Sequence, residues 1–331
     1  MKHVLAFLRE WTLPVAMTTG TLVYLLFAYT PALDEIGDFF FPIFEEIFPY
    51  FMFAILFVTF CKIDFHKLRL TSWHLWVALL QLVFVAIIVG SILAFRIGGD
   101  SLILLEALLV CIISPAAAAA PVVAAKLGAD IEQVTSYVFL SNIITAVMVP
   151  LCFPLIDQSV DMPFLQAFLR ILYKVCLVLL VPMAGAWLVK HKMHRLHRRI
   201  VSINDLGFYC WGVSLTIVTG ITVRTIFHAE TGLSLMLLMA LFGLVLCIVQ
   251  FAVGRYIGHF FHHSEECGQS LGQKNTAFAI WIAYVYLSPV ASIGPGCYIL
   301  WQNAINSIEI YNHEHRKKRL RHPASDTQHV T

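Results

Sequence analysis

The heptapeptide Ser-Leu-Gly-Gln-Lys-Asn-Thr at positions 270–276 decides the fold, because it leads directly into an apolar run at positions 277–287. Lys274 stands inside this junction. A lysine at membrane depth costs roughly 2.5–3.5 kcal/mol on insertion scales, so it normally faces a partner or a water-filled cavity. The heptapeptide therefore marks a functional site inside a membrane-embedded chain.

Apolar segments recur along all 331 residues, of which 59% are hydrophobic and only 13% are charged. These values exclude an ordinary soluble domain. The first apolar segment follows a short basic stretch, as in a signal peptide, but no small-residue cleavage site follows it, so we expect a retained first helix. Ten segments are long enough to cross a bilayer core of about 30 Å: 11–32, 40–61, 75–97, 102–127, 132–156, 163–189, 205–227, 232–256, 266–287 and 290–311.

The distribution of the 22 lysines and arginines predicts the orientation of these spans. Seventeen lie on the same side as the N-terminus, starting with Lys2 and Arg9, whereas only Arg96 and Arg224 lie on the opposite side. The other three, Arg170, Lys174 and Lys274, lie at least seven residues from either end of a span. By the positive-inside rule, we expect both termini in the cytoplasm.

Several other classes of protein find no support in the sequence. The eight cysteines occur without a Cys-x-x-Cys pair, so nothing indicates a disulfide framework or a thiolate metal site. The basic run at 316–321 directly follows a span, which favours contact with anionic membrane lipid over nucleic acid. The histidine- and glutamate-rich tract at 259–266 lacks metal-ligand spacing. Because P-loop, His-Glu-x-x-His and Gly-x-Ser-x-Gly motifs do not occur, we expect no cofactor and no enzymatic activity.

The ten spans divide into two five-span halves, at 11–156 and 163–311. An odd number of spans in each half inverts the second half relative to the first, as in many secondary transporters. We therefore expect one all-α transmembrane domain at 1–312, built as two inverted repeats, followed by a basic cytoplasmic tail at 313–331.

The fourth span of each half is interrupted. In the first half, Pro115 and Pro121 flank five alanines, among them Ala118. A proline lacks an N–H group and leaves carbonyls without their helical donors, so these must find other partners in a medium without water. In the second half, the interruption lies at 272–275. Matching interruptions present half-helix ends to a ligand, so we expect the substrate where the two interruptions cross.

Some alternatives remain open for these residues. The prolines and alanines of the first interruption can serve helix packing alone. Lys274 can be the structural ion-pair partner of Glu106 or Glu266. Other polar residues on the fifth and tenth spans either line the core or only bond between helices: Ser141, Asn142, Asn306 and Ser307.

A series of short motifs runs through the second half: Gly-Gln-Lys-Asn-Thr-Ala at 272–277, Pro-Val at 289–290, Pro-Gly at 295–296 and Trp-Gln-Asn at 301–303. This series resembles the bile acid:sodium symporter superfamily, in which a Gln-Asn pair on the ninth helix precedes the same turns and a Trp-(His/Gln)-Asn motif. In the first half, segment 111–115 is similar to the family's Cys-Pro-Gly-Gly stretch. The chain thus resembles a divergent bacterial member of this family.

The resemblance implies a panel of helices beside a core of helices three to five and eight to ten, with discontinuous helices 4 and 9 crossing at the site. It also implies sodium-driven uptake of a small organic anion across a bacterial inner membrane. Gln302 stands where the family often has histidine. Together with the interruptions, the resemblance gives a predicted substrate-binding set: Lys274, Asn275, Thr276, Gln302, Asn303, Pro115, Ala118 and Pro121.

The departures from the family pattern concern its sodium ligands. The family has a glutamate on the ninth helix, a glutamine beside the Asn275 position and a Ser-Asn pair at the end of the fourth-helix break. The corresponding positions here hold Ser270, Lys274 and the pair Ala120-Pro121. An alignment that places 266–268 on the glutamate motif breaks the spacing to the later motifs. The chain therefore lacks the anionic ligand and most of the oxygen donors that a hard cation needs.

These losses lead to the hypothesis that Lys274 replaces the bound sodium. An ammonium in the same cavity supplies fixed positive charge, attracts an anion and can release a proton during the transport cycle. We expect an ion-coupling set of Lys274, Ser270, Gln273 and Gln81. Transport is then sodium-independent, either proton-linked or facilitative. The alternatives are a sodium-coupled symporter and, in another class, an intramembrane enzyme or sensor.

Overall fold

The computed structural model describes residues 12–156, 162–203, 206–229 and 231–321. Lys2, Arg9 and positions 322–331 of the predicted tail lie outside the described residues. The described residues form α-helices joined by short turns: α1 Thr12–Ala28, α2 Asp34–Cys61, α3 Ser72–Phe95, α4 Gly99–Ile113, α5 Ala120–Lys126, α6 Ile131–Ile156, α7 Phe164–Lys192, α8 His194–Ser202, α9 Leu206–His228, α10 Leu233–Phe261, α11 Ser264–Gly272, α12 Thr276–Tyr286 and α13 Ile293–Arg321. Three 3₁₀ turns lie at Pro31–Leu33, Phe65–Lys67 and Pro289–Ser292.

Among the described residues, four helices, α3, α6, α7 and α10, are long and apolar enough to cross a membrane. Their side chains show the distribution that lipid requires. On α3, Leu75 and Ile87 are 61% and 58% exposed, whereas the polar Gln81 is 1% exposed. Apolar side chains therefore cover the outside, and polar side chains face other helices, as in proteins that fold within a bilayer.

Two helical segments are interrupted where the sequence predicts it. The first interruption separates α4 from α5, and Pro121 occupies the first turn of α5, where its missing N–H removes no helical hydrogen bond. The second separates α11 from α12, and the Asn275 side chain caps α12 by accepting the Phe278 N–H at 3.2 Å. Each interruption thus ends one helix and begins another.

The helices pack in two groups. One contains α1, α2, α7 and α9, which contact one another. The other contains α3 to α6 and α10 to α13, within which α10 packs along both α11 and α13. Helices α6 and α7 join the two groups. Helix α13 continues to Arg321, so the described part of the predicted tail is helical.

Candidate functional site

The two interruptions lie against each other. The Ala117 N–H donates to the Gln273 carbonyl, and the Asn275 N–H donates to the Pro115 carbonyl, both at 2.9 Å. These bonds form an isolated antiparallel bridge between Ala116 and Lys274. The bridge gives partners to backbone groups that the broken helices cannot satisfy, which is a requirement at a site away from water.

The Lys274 side chain is almost completely buried, at 1% exposure. Its Nζ donates to the Ile112 carbonyl at 3.0 Å and to the Ser114 carbonyl at 3.3 Å. These oxygens lie at the C-terminal end of α4, where the last carbonyls lack helical donors and the helix dipole is negative. A cation at the tip of the Lys274 side chain is therefore stabilised by the broken end of another helix.

Carboxylates do not neutralise Lys274 within the described part of the chain, since no Asp or Glu oxygen there lies within 4.0 Å of Nζ. Glu106 accepts the Ser288 N–H at 3.2 Å. Glu266 accepts the Asp130 N–H at 2.8 Å. Neither of the two ion-pair partners considered from the sequence makes a salt bridge with Lys274.

One N–H group of a protonated Lys274 has no acceptor among the described residues. A protonated lysine carries three N–H donors. Lys274 directs two of them to the carbonyls of Ile112 and Ser114, and the described residues provide no third acceptor within 3.5 Å. An anionic oxygen at this position would complete the donor set and neutralise the charge.

Gln81, on α3, also binds the backbone carbonyls at the end of α4. Its Nε2 donates to the Ile112 carbonyl at 2.9 Å, and its Oε1 accepts the Tyr137 hydroxyl at 3.1 Å. Gln81 belongs to the predicted ion-coupling set, whereas Tyr137 is a contact that only the structure reveals. We name the carbonyls of Ile112, Ile113 and Ser114 the α4 carbonyl cluster.

Helix α6 supplies three groups along one face. Tyr137 binds Gln81, the Ser141 hydroxyl accepts the Ala116 N–H at 3.1 Å, and Thr145 donates to the Ile113 carbonyl at 2.7 Å. These residues recur every four positions, which places them on the same side of a helix. That spacing is the sequence signal that would have identified Tyr137 and Thr145.

Gln302 on α13 holds the backbone of Lys274 from the other side. Its Oε1 accepts the Lys274 N–H at 2.9 Å, and its Nε2 donates to the Lys274 carbonyl at 3.3 Å. The side chain is buried, so both amide groups are satisfied without water. Gln302 therefore fixes the position from which the Lys274 side chain extends.

The other predicted residues surround this centre without contacting Nζ. Asn275 caps α12, and the Asn303 side chain donates to the Ile299 carbonyl of its own helix at 2.6 Å. Ser270 and Gln273 are buried, and their Oγ and Oε1 atoms have no hydrogen-bond partner among the described residues. The remaining members line the interruptions or begin the helices that follow them: Pro115, Ala118, Pro121 and Thr276.

A second glutamine–tyrosine pair lies at the other broken helix. Gln250 on α10 donates to the Tyr298 hydroxyl at 3.0 Å, and Tyr298 on α13 donates to the Gly272 carbonyl at 2.7 Å. Gly272 is the last residue of α11, as Ile113 is the last residue of α4. A glutamine–tyrosine pair therefore lies at each broken helix end. At the end of α4 the glutamine contacts the backbone carbonyl, whereas at the end of α11 the tyrosine does so.

The tract at 259–266 lines a cavity of about 400 Å³ together with residues 127–129. Its carboxylates are engaged: Glu265 pairs with Arg255 at 2.8 Å, and Glu266 binds the backbone of Asp130. In the described ranges, no three His, Cys, Asp or Glu residues are grouped so that they could hold a metal ion.

No protein-family model matches the chain, and no curated protein sequence matches it significantly. The resemblance to the bile acid:sodium symporter superfamily therefore stays a prediction that rests on the motifs.

Proposed function

We propose that this protein is a secondary transporter of a small organic anion, with Lys274 as a covalently attached cation at the substrate site. The observation that carries the proposal is the burial of Lys274 on two backbone carbonyls, with no carboxylate of the described residues within 4.0 Å of Nζ. Ionisable groups buried at membrane depth usually serve a substrate or ion pathway. The N–H group of the ammonium that has no acceptor among the described residues suits a carboxylate or another oxyanion.

The same observation favours sodium independence. Carbonyl oxygens at a broken helix end are ligands of the kind that transporters use for sodium. Here two of them receive the ammonium of Lys274 instead. Sodium at this position would meet a like charge, so the anion would move without sodium, either with a proton carried by Lys274 or by facilitated diffusion.

The architecture that we propose is ten transmembrane helices in two inverted repeats. It is supported by the paired interruptions and by the glutamine–tyrosine pair at each of them. The group of α1, α2, α7 and α9 would form the panel, and the other group would form the core that carries the crossing. Alternating access would then follow from movement of one group against the other. We place both termini in the cytoplasm, on the charge distribution, and the protein in a bacterial inner membrane, on its resemblance to the symporter family.

The alternative within the same class is a sodium-coupled symporter. It is favoured by the buried oxygens of Ser270 and Gln273 that have no partner among the described residues. If these oxygens bind sodium beside Lys274, the ammonium serves the anion alone. The two candidates differ in whether sodium changes uptake.

The proposal is tested with the purified protein and a panel of anions: a conjugated bile acid, a keto acid and pantoate. Thermal unfolding identifies a ligand, because a compound that binds the native state stabilises it by about 2.7 kcal/mol at one hundred times its Kd. Uptake of the stabilising compound is then measured in proteoliposomes, in sodium and in choline buffer. We expect equal uptake in both buffers.

The matched variants are Lys274→Met and Lys126→Met, because Lys126 is exposed and makes no hydrogen bond or ion pair within the described part. We expect Lys274→Met to lose ligand stabilisation and uptake, and Lys126→Met to keep both. Binding and uptake that survive in Lys274→Met would contradict the proposed role of Lys274. Uptake that requires sodium would replace the proposal by the symporter alternative.

A further inference from the structure

Helix α8, His194–Ser202, carries a basic surface at one end of the membrane helices. Positions 190–199 contain five lysines and arginines and no Asp or Glu. Lys190 pairs with Asp64 at 3.4 Å. In contrast, Arg195, Arg198 and Arg199 are exposed and form no ion pair with the described residues. On a helix of 3.6 residues per turn, these three side chains lie within an arc of about 100°.

A second surface of α8 is apolar and also exposed. Leu196 is 38% exposed, and Met193 and Ile203, which flank the helix, are 48% and 50% exposed. Leu196 lies next to the arginine arc, about 60° from Arg199 around the helix, and Met193 and Ile203 lie at the two ends of the helix. A short helix that exposes arginines and apolar side chains along adjacent faces suits the boundary between lipid head groups and acyl chains.

The third side of α8 attaches it to the protein. His197 Nε2 donates to the Cys61 carbonyl at 2.8 Å, at the last residue of α2. Ile200 and Val201 pack against the main apolar core. The helix therefore holds a fixed position beside the ends of α2 and α7.

We propose that α8 binds the phosphate group of an anionic phospholipid in the leaflet on this side of the membrane. The arginines would bind the phosphate, and Met193, Leu196 and Ile203 would contact the upper acyl chains. The exposed apolar surface selects lipid as the partner, because a soluble polyanion would leave it in water. This inference concerns a site separate from Lys274 and does not depend on transport.

The first test measures thermal unfolding of the full-length protein in detergent as phosphatidylglycerol or phosphatidylcholine is added. We expect phosphatidylglycerol to raise the unfolding temperature and phosphatidylcholine to leave it unchanged. Each basic residue near an anionic surface contributes about fivefold in affinity. The pair of substitutions Arg198→Gln and Arg199→Gln should therefore weaken the phosphatidylglycerol effect about 30-fold on the lipid concentration scale.

The matched control removes two exposed charges expected on the same side of the membrane, with Arg69→Gln and Lys126→Gln. This control should respond to phosphatidylglycerol as the wild-type protein does. An unchanged lipid response in the α8 variant, or an equal response to phosphatidylcholine, would overturn the proposal.

The second test needs no variant and is independent of how the substitutions affect folding. Amide hydrogen exchange of residues 194–203 is compared between nanodiscs of phosphatidylglycerol and of phosphatidylcholine. We expect slower exchange in phosphatidylglycerol, confined to this segment and to the end of α2. Equal exchange rates in the two lipids would refute binding at α8.

Discussion

The contact between Gln81 and Tyr137 gives a prediction whose size follows from the geometry. Tyr137→Phe removes the hydroxyl that donates to Gln81 Oε1 at 3.1 Å and leaves that oxygen buried without a donor. Gln81→Leu removes the acceptor of the Tyr137 hydroxyl and one donor to the Ile112 carbonyl. Each change is nearly neutral in volume, so the lost hydrogen bond dominates the effect.

The expected loss is about 1–3 kcal/mol for each single variant, because each leaves a buried polar group unsatisfied. In a chain of this size, 1 kcal/mol corresponds to roughly 2 °C in the unfolding temperature. The double variant removes both partners, so its loss should be smaller than the sum of the single losses by about 0.5–3 kcal/mol. In Gln81→Leu the Ile112 carbonyl keeps Lys274 as its donor, which limits the damage to that end of the contact.

The assay is thermal unfolding in detergent, followed by tryptophan fluorescence, for the wild-type protein, both single variants and the double variant. Tyr173→Phe is the control, since Tyr173 is 64% exposed and should change stability by less than about 0.5 kcal/mol. Strictly additive losses in the double variant would refute the reasoning, because they would mean that Gln81 and Tyr137 act separately.

Three further predictions concern other parts of the chain. Tyr298→Phe should lower stability by about 1–3 kcal/mol in thermal unfolding, because the Gly272 carbonyl and Gln250 lose their partner. An unchanged unfolding temperature would argue against the contact between Gln250 and Tyr298. Gly254→Ala should lower the free energy of unfolding by about 1–3 kcal/mol, because a Cβ there would lie 2.6 Å from the Cys267 carbonyl oxygen. Gly90→Ala, which has open space around it, should be tolerated, and equal effects of the two variants in thermal unfolding would contradict the close packing of α10 on α11. The His66 N–H and the Lys190 side chain hold the pKa of Asp64 below its usual value of 3.8. The wild-type protein should therefore be more stable than Asp64→Asn above pH 3.8, and this advantage should disappear as the pH falls below that value. A difference between the two unfolding temperatures that does not change with pH would contradict this.

The sequence predicted the two interruptions because their causes are local. Pro115 cannot donate to a helical ladder, and Pro121 favours the first turn of a new helix. Asn275 begins α12 as a side-chain cap. Such effects act between residues that are close in the chain, so sequence reasoning located both breaks without knowledge of their partners.

The contacts of the Lys274 side chain could not be predicted from such local effects. Nζ binds carbonyls more than 150 positions earlier in the chain, whereas the partners expected from the sequence are the carboxylates of Glu106 and Glu266. Backbone carbonyls leave no mark in the amino-acid sequence. Which ones a side chain reaches depends on how the two interruptions lie against each other, and this is set by packing across the whole helix group.

The contacts of Gln81 could be predicted from the sequence only in part. Gln81 belongs to the predicted ion-coupling set and lies near the middle of the third span. Its actual partners lie on α4 and α6, and one of them, Tyr137, was not considered. The four-residue spacing of Tyr137, Ser141 and Thr145 contains the information, but it gains meaning only when α6 is known to face the first interruption.

The measurement that tests the central claim most directly is a sodium titration of thermal stability, at constant ionic strength with choline as the replacement, for wild type and Lys274→Gln. If the Lys274 ammonium stands where a cation would bind, sodium should leave the wild-type unfolding temperature unchanged. In Lys274→Gln the carbonyls of Ile112 and Ser114 lose the ammonium, and the new amide oxygen adds a ligand, so sodium should raise the unfolding temperature of this variant. A clear rise in the wild-type protein would contradict the account and identify a sodium site that coexists with Lys274.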